Sequence, residues 1–183
     1  MSGLVEDLLL LARLDAGREL ASDPVDLIPL AIDAVSDAHA AGPDHEWVLD
    51  LPQFGDEDDV CVACTVAGDE SALRQVFANL VNNARIHTPA GTRVKVGVQV
   101  IGGGASAPGF VRMSVADDGP GIPPELRATV FDRFVRGDTS RSRQGKGSSG
   151  LGLSIVSSIA EALGGRVDVD TVCDGEGAPG EHG

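Results

Sequence analysis

Three short patterns in this 183-residue chain put residues where a charged, oxygen-rich ligand could be handled. Asn79 and Asn83 stand four apart, with Asn82 beside them, in a stretch where Leu73, Phe77, Leu80, Val81 and Ala84 recur at helical spacing. Residues four apart share a helix face, and this face is not the apolar one. Asn is a mediocre helix former because its amide competes for backbone groups. Two on one polar face offer amide oxygens, which suit a magnesium ion already carrying phosphate. A plain solvated face is the alternative. In the second pattern, Asp117 closes an apolar alternating run and is followed by Gly119 and Gly121. The carboxylate could accept a hydrogen bond from an exocyclic amine such as that of adenine, and the glycines permit close backbone approach. Asp-Gly and Gly-Pro also mark ordinary turns. In the third, Gly145, Lys146, Gly147, Ser148, Ser149, Gly150, Leu151 and Gly152 run straight into a helical stretch. Free glycine amides and a helix N-terminus favour phosphate. The run is not a P-loop, because Leu151-Gly152 replaces the Lys-Ser/Thr pair, and no strand leads into it as a dinucleotide loop requires. A flexible linker is the alternative.

Ordered elements must hold these residues. An apolar helical series Leu4, Leu8, Leu11, flanked by Val5, Leu9 and Ala12, predicts a first helix that stops near Asp15-Ala16-Gly17 and packs on another helix. Asp26 is the expected N-cap of a second, with Pro29 tolerated in its first turn and Ile28, Ala31, Ile32 and Val35 on its apolar side. Segments 47–51 and 60–66 alternate like two strands around an acidic turn. Gly68-Asp69-Glu70-Ser71 opens the Asn-bearing helix, which ends near His87-Thr88-Pro89. Strands over 93–101 and 110–116, a short helix near 124–134, a helix over about 151–163 and a strand over 166–172 complete the pattern. The Gly-rich, acidic end, 173–183, is expected to lack order. This order predicts an α+β fold, a two-layer α/β sandwich with one mixed sheet and helices on one face.

Composition narrows the function. The net charge of −14 argues against non-specific nucleic-acid or anionic-membrane binding, which needs a basic face. With 3% aromatic residues the core must be mainly aliphatic. No apolar run approaches the roughly 18 residues that span a bilayer, and no basic start or cleavage pattern suggests a signal peptide, so a cytoplasmic location is expected. Cys61 and Cys64 form a C-x-x-C, but it lies in a strand-like run where an offset of three points the sulfurs to opposite faces. Buried thiols are the expected reading.

The three patterns in this order resemble the ATP-binding catalytic domain of bacterial sensor histidine kinases, within the wider GHKL ATPase group. Residues 75–84 resemble its asparagine box, and Phe131-Asp132-Arg133-Phe134 its phenylalanine box. The resemblance spans about 25–170 and implies a Bergerat-type fold binding ATP and Mg2+. It implies that Asn79 and Asn83 are catalytic and hold the metal against the phosphates, that Asp117 reads the adenine amine, and that Gly119 and Gly121 approach the nucleotide. His87 is implied where an aromatic ring lies beside the base, a solvated helix-end histidine being the alternative. Residues 138–149 are implied to form the ATP lid, with Lys146, Gly147, Ser148, Ser149, Gly150, Leu151 and Gly152 around the phosphates and Arg141 and Arg143 near them.

Departures from the pattern also carry information. None of His39, His45, His87 and His182 heads the phosphoacceptor segment that the family carries on a helical hairpin. Residues 2–15 resemble the end of that hairpin's second helix, so 1–17 is expected to be hairpin, 18–172 the catalytic domain and 173–183 a tail. The chain is then a fragment of a longer kinase or one half of a split kinase, the initial Met favouring the split form. Its phosphoacceptor His would sit on a partner's dimerisation domain, with a response regulator downstream and a dimer through the N-terminal helix. Ile86 stands where the family often has Lys, and Arg85 beside it points about 100° away on a helix. The family's closing strand is absent, which exposes a sheet edge. These departures keep two rivals in view: a non-catalytic dimerising regulator of a kinase, and an anti-sigma-type Ser kinase, which the hairpin-like helix argues against.

Overall fold

The computed structural model describes residues 2–52, 64–102, 109–135 and 149–171. Helix α1 (Ser2–Asp15) precedes strand β1 (Asp23–Asp26), whose last residue caps α2 (Leu27–Ala41). The Asp26 carboxylate accepts the Ile28 amide at 3.0 Å, satisfying a first-turn donor, and Pro29 sits where a missing amide costs nothing. Strand β1 was not anticipated, because two Asp and a Pro around one Val carry no strand signal. Its partner β3 (Thr65–Gly68) supplies it, with Val25 opposite Val66 in an antiparallel pair.

Strands β2 (Glu46–Asp50), β4 (Arg93–Ile101) and β5 (Phe110–Asp117) form the main sheet in the order β2-β4-β5. β2 runs parallel to β4 with Glu46 opposite Arg93, and β5 runs antiparallel with Val94 opposite Asp117. The sheet is mixed, as expected, but the described strands divide into this sheet and the separate β1–β3 ribbon. The two segments expected to flank an acidic turn therefore belong to different ladders. The turn itself and Cys61 lie outside the described residues, while the Cys64 side chain is fully buried, as expected.

Val94, Val96 and Val98 point one way from β4 and are fully buried, while Arg93, Lys95 and Gln99 alternate outward. Arg93 pairs with Glu46 and Lys95 with Asp50 on that polar face. The buried face meets Leu27, Leu30 and Ala31 of α2 and Leu73, Phe77 and Val81 of α3 (Glu70–His87). A second cluster lies across α3, where Ala72 and Val76 meet Leu151, Ile155 and Ile159 of and before α5 (Gly152–Ala162). Leu11 of α1 is buried in the same cluster, with Leu10 and Leu14 packed on it. Helix α3 is thus covered by the sheet on one side and by α5 on another. The face left over carries the asparagines.

Helix α4 (Pro124–Arg127) is shorter than expected. The chain beyond it tightens, with the Thr129 amide on Leu126 O and the Asp132 amide on Thr129 O, each three residues back. The strand expected over 166–172 is absent from its described residues, 166–171. This segment is tied back by a side chain instead: the Ile122 amide donates to Thr171 Oγ1 at 2.8 Å. Among the described residues no helix is long and apolar enough to cross a membrane.

Candidate active site

The free face of α3 forms one wall of an open cleft of about 110 Å3. Asn79, Asn82, Asn83, Ile86 and His87 line it from α3, and Ser149, Gly150, Gly152 and Leu153 line it from the start of α5. Val130 and Val135 close a third side, and Asp7 reaches in from α1. Asn79, Asn83, His87, Ser149, Gly150 and Gly152 are therefore brought together as expected.

Asn79 carries a buried amide nitrogen, Nδ2, without a hydrogen-bond partner. Its Oδ1 faces the first turn of α5, 3.6 Å from where a Cβ on Gly152 would lie. An orphaned amide beside a helix N-terminus is unfavourable as it stands and is satisfied by a ligand rich in oxygen. The donors fit phosphate oxygens. The paired asparagine amides also fit a hard, oxygen-seeking cation such as magnesium.

Leu151 lies apart from the cleft. Its side chain is fully buried in the second cluster, while its amide donates to Ser149 Oγ at 3.3 Å and its carbonyl accepts from the Ser154 hydroxyl at 2.8 Å. Asp117, Gly119 and Gly121 also stand outside the cleft lining, on the turn that leaves β5. There Asp117 Oδ1 accepts the Gly119 amide at 3.1 Å, and Asp118 Oδ1 accepts the Arg93 amide at 2.8 Å. This turn meets the end of α3, where a Cβ on Gly119 would lie 2.7 Å from Thr88 Cγ2. Lys146, Gly147 and Ser148 lie outside the described residues, as do Arg141, Arg143 and most of the expected lid.

The segment between α4 and the cleft is tied at both ends. Phe134 has φ 64°, unusual for a non-glycine residue, and its amide donates to Gly150 O at 2.8 Å. Gly150 itself has φ 70°, and a Cβ there would sit 3.0 Å from Phe134 Cα and Val135 O, so the close approach requires glycine. Arg133 reaches Asp15 at the end of α1 with contacts of 2.6 and 2.8 Å. The hydrogen bond from Arg133 holds the Asp15 carboxyl below the usual range and raises the guanidinium.

Ile86 presents an apolar side to the cleft, and Arg85 does not replace the lysine expected there. Its guanidinium donates to Asn82 Oδ1 at 2.7 Å, and its stem lies against Gly42, where a Cβ would meet Cδ at 2.9 Å. Sequence reasoning missed Asp7. Asp7, Leu10, Leu11 and Leu14 share one helical face, and the leucines dock on the domain, so Asp7 is carried to the cleft. Burial, then the neighbouring Glu6, pushes its carboxyl above the usual range.

A family model described as histidine kinase-, DNA gyrase B- and HSP90-like ATPase matches residues 68–181. The chain is 52% identical over 168 residues to a Mycobacterium tuberculosis protein named "Probable sensor histidine kinase TcrY", covering 92% of this chain and 32% of that protein. It is 46% identical over 171 residues to the sensor histidine kinase TrcS of the same organism, covering 93% and 31%. The chain thus spans about a third of the length of these relatives. Among solved structures, the mycobacterial sensor histidine kinase MprB matches at TM-score 0.59 and 30% identity, over 76% of this chain and 80% of that one. The Acinetobacter baumannii histidine kinase AdeS matches at TM-score 0.66 over 94% of this chain and 72% of that one. Its 24% identity speaks for the fold alone.

Proposed function

Because the chain belongs to the histidine kinase-, DNA gyrase B- and HSP90-like ATPase family, we propose that it is the ATP-binding kinase part of a two-component sensor kinase. The observation that carries this reading is the meeting of Asn79, Asn83 and the glycine-lined start of α5 in one cleft. In it, α5 and Ser149 bind the phosphates, with Gly150 and Gly152 leaving the backbone amides accessible. Asn79 and Asn83 hold Mg2+ through their amide oxygens. When bound, the metal neutralises phosphate charge in a transfer that depends on positioning and charge stabilisation. Asp7 supports its need, since a carboxyl beside an anion site opposes a bare polyphosphate. Asp117 accepts the adenine amine, His87 flanks the base, and Gly119 and Gly121 admit it. Lys146, Gly147 and Ser148 complete the phosphate contacts.

The acceptor is a histidine of a dimerisation hairpin on a partner chain, from which the phosphoryl group passes to a response regulator. Leu4, Val5, Leu8 and Leu9 are exposed on α1 and form the apolar edge on which such a hairpin pairs. Residues 1–17 are then hairpin, 18–172 the catalytic domain and 173–183 a tail, and the work is done in the cytoplasm. The test is incubation of the chain with ATP, Mg2+ and a hairpin protein bearing the histidine. Acid-labile label on the hairpin, lost with Asn83→Ala, is the expected result. Acid-stable label would point to a Ser kinase. Absence of label from a folded chain that binds no nucleotide would favour a non-catalytic partner, a reading to which the apolar Ile86 wall lends some support.

A further inference from the structure

A polar chain runs beneath the Asp117 turn from a residue that the reaction does not use. His45 Nε2 lies 3.0 Å from Thr88 Oγ1, and the Thr88 hydroxyl donates to Ala84 O at 2.7 Å. The hydroxyl proton is therefore spent, so Thr88 can only accept from His45, and Nε2 carries the ring proton. The ring is held in place from several directions. It lies against Trp47 with centroids 5.7 Å apart, and Trp47 Nε1–H donates to Gly42 O at 2.9 Å. The His45 amide donates to Gly42 O at 3.2 Å, and Gly91 N–H donates to Asp44 O at 2.7 Å.

Thr88 is buried, and its methyl presses on the turn after β5. A Cβ built on Gly119 would lie 2.7 Å from Thr88 Cγ2 and 2.8 Å from Asp117 Oδ1. The Gly119 amide in turn donates to Asp117 Oδ1. Thr88, Gly119 and the Asp117 carboxylate thus form one contact, with no room for a side chain between them. Thr88 caps the end of α3 in an extended conformation, with its hydroxyl turned back to the carbonyl four residues earlier. The His45 proton adds a bond at the observed position of Oγ1 and so favours the rotamer that sets the methyl under Gly119.

We propose that His45 is a positioning residue for the base-reading turn, acting through Thr88 on Gly119 and Asp117, and that it tunes the preference for adenine over a purine lacking the 6-amino group. This rests on the reading that Asp117 accepts the adenine amine. The test is calorimetric titration of the 183-residue chain with three magnesium-loaded probes: a non-hydrolysable ATP analogue, its purine-riboside counterpart without the amine, and tripolyphosphate. His45→Ala is expected to weaken the adenine nucleotide about 3- to 10-fold, the worth of one hydrogen bond. The purine analogue and tripolyphosphate should hold their affinities. His45→Gln, which keeps an N–H donor, should recover most of the loss. Thr88→Val should reproduce the loss, and adding His45→Ala to it should cost little more, as coupled residues do.

Unchanged adenine affinity in His45→Ala would overturn the proposal, as would an equal loss for tripolyphosphate. Should His45→Ala fail to fold, Thr88→Val decides, and an unaltered adenine preference there overturns it. The parent reading fails separately, if Asp117→Ala leaves adenine preference intact. If Asp117→Ala abolishes the preference while His45→Ala and Thr88→Val do not, this inference alone is lost.

Discussion

Gly150 and Asp7 border the same cleft for opposite physical reasons. Gly150 holds a left-handed backbone with Phe134 and Val135 pressed to 3.0 Å of the missing Cβ. Gly150→Ala is expected to cost about 1–3 kcal/mol, read as a lower urea midpoint at unchanged m-value. An unchanged midpoint would mean that the turn relaxes freely. Asp7 is a charge that the fold resists. Burial first, and Glu6 second, raise its carboxyl in the folded chain. A raised acid favours the folded state most below the ordinary carboxylate value. That contribution is lost as pH rises through the ordinary value to the higher folded one. Asp7→Asn should therefore raise the melting temperature at pH 7, and the gain should vanish near pH 3. A gain of equal size at both pH values would show that charge is not its source.

At the scale of elements, α1 shows what periodicity could not decide. Leu8, Leu9, Leu10 and Leu11 are consecutive, so apolar residues surround the helix and no single stripe stands out. Of the expected series Leu4, Leu8 and Leu11, the first two are 47% and 42% exposed, and only Leu11, 1% exposed, is buried against α5. Leu11→Ala should cost about 2–5 kcal/mol as a core truncation. Leu8→Ala should leave the monomer within about 0.5 kcal/mol and weaken pairing with a hairpin instead. Equal losses would mean that α1 does not dock as described. Helices α2 and α3 were legible because each announces itself locally, through the Asp26 and Asp69 caps and an apolar face beside a polar one. Strand β1 was not, because its identity comes from Val66 across the ladder and not from its own residues. The strand expected over 166–172 failed the other way, for alternation alone does not provide a neighbouring backbone to pair with.

For the molecule as a whole, the site was legible as chemistry before it was legible as a place. The Asn79/Asn83 spacing, the Asp117 turn and the glycine run before α5 each suggested part of a nucleotide site. The structure joins Asn79 and Asn83 with Ser149, Gly150 and Gly152 in one cleft and leaves Asp117 beyond the end of α3, next to Thr88 through Gly119. Asp7 as a cleft residue and the proposed role of His45 were not legible, since one comes from the packing of α1 and the other from a contact between residues 43 apart. In the proposed reading, a chain of net charge −14 that binds a polyanion draws its attraction from local groups, helix amides and a bound metal among them. The most direct test is therefore calorimetric titration of the chain with a non-hydrolysable ATP analogue, with and without magnesium. Binding that requires magnesium and disappears in Asn83→Ala, while that variant keeps its unfolding midpoint, is the predicted result. Binding of equal strength without magnesium, or unimpaired in Asn83→Ala, would contradict it.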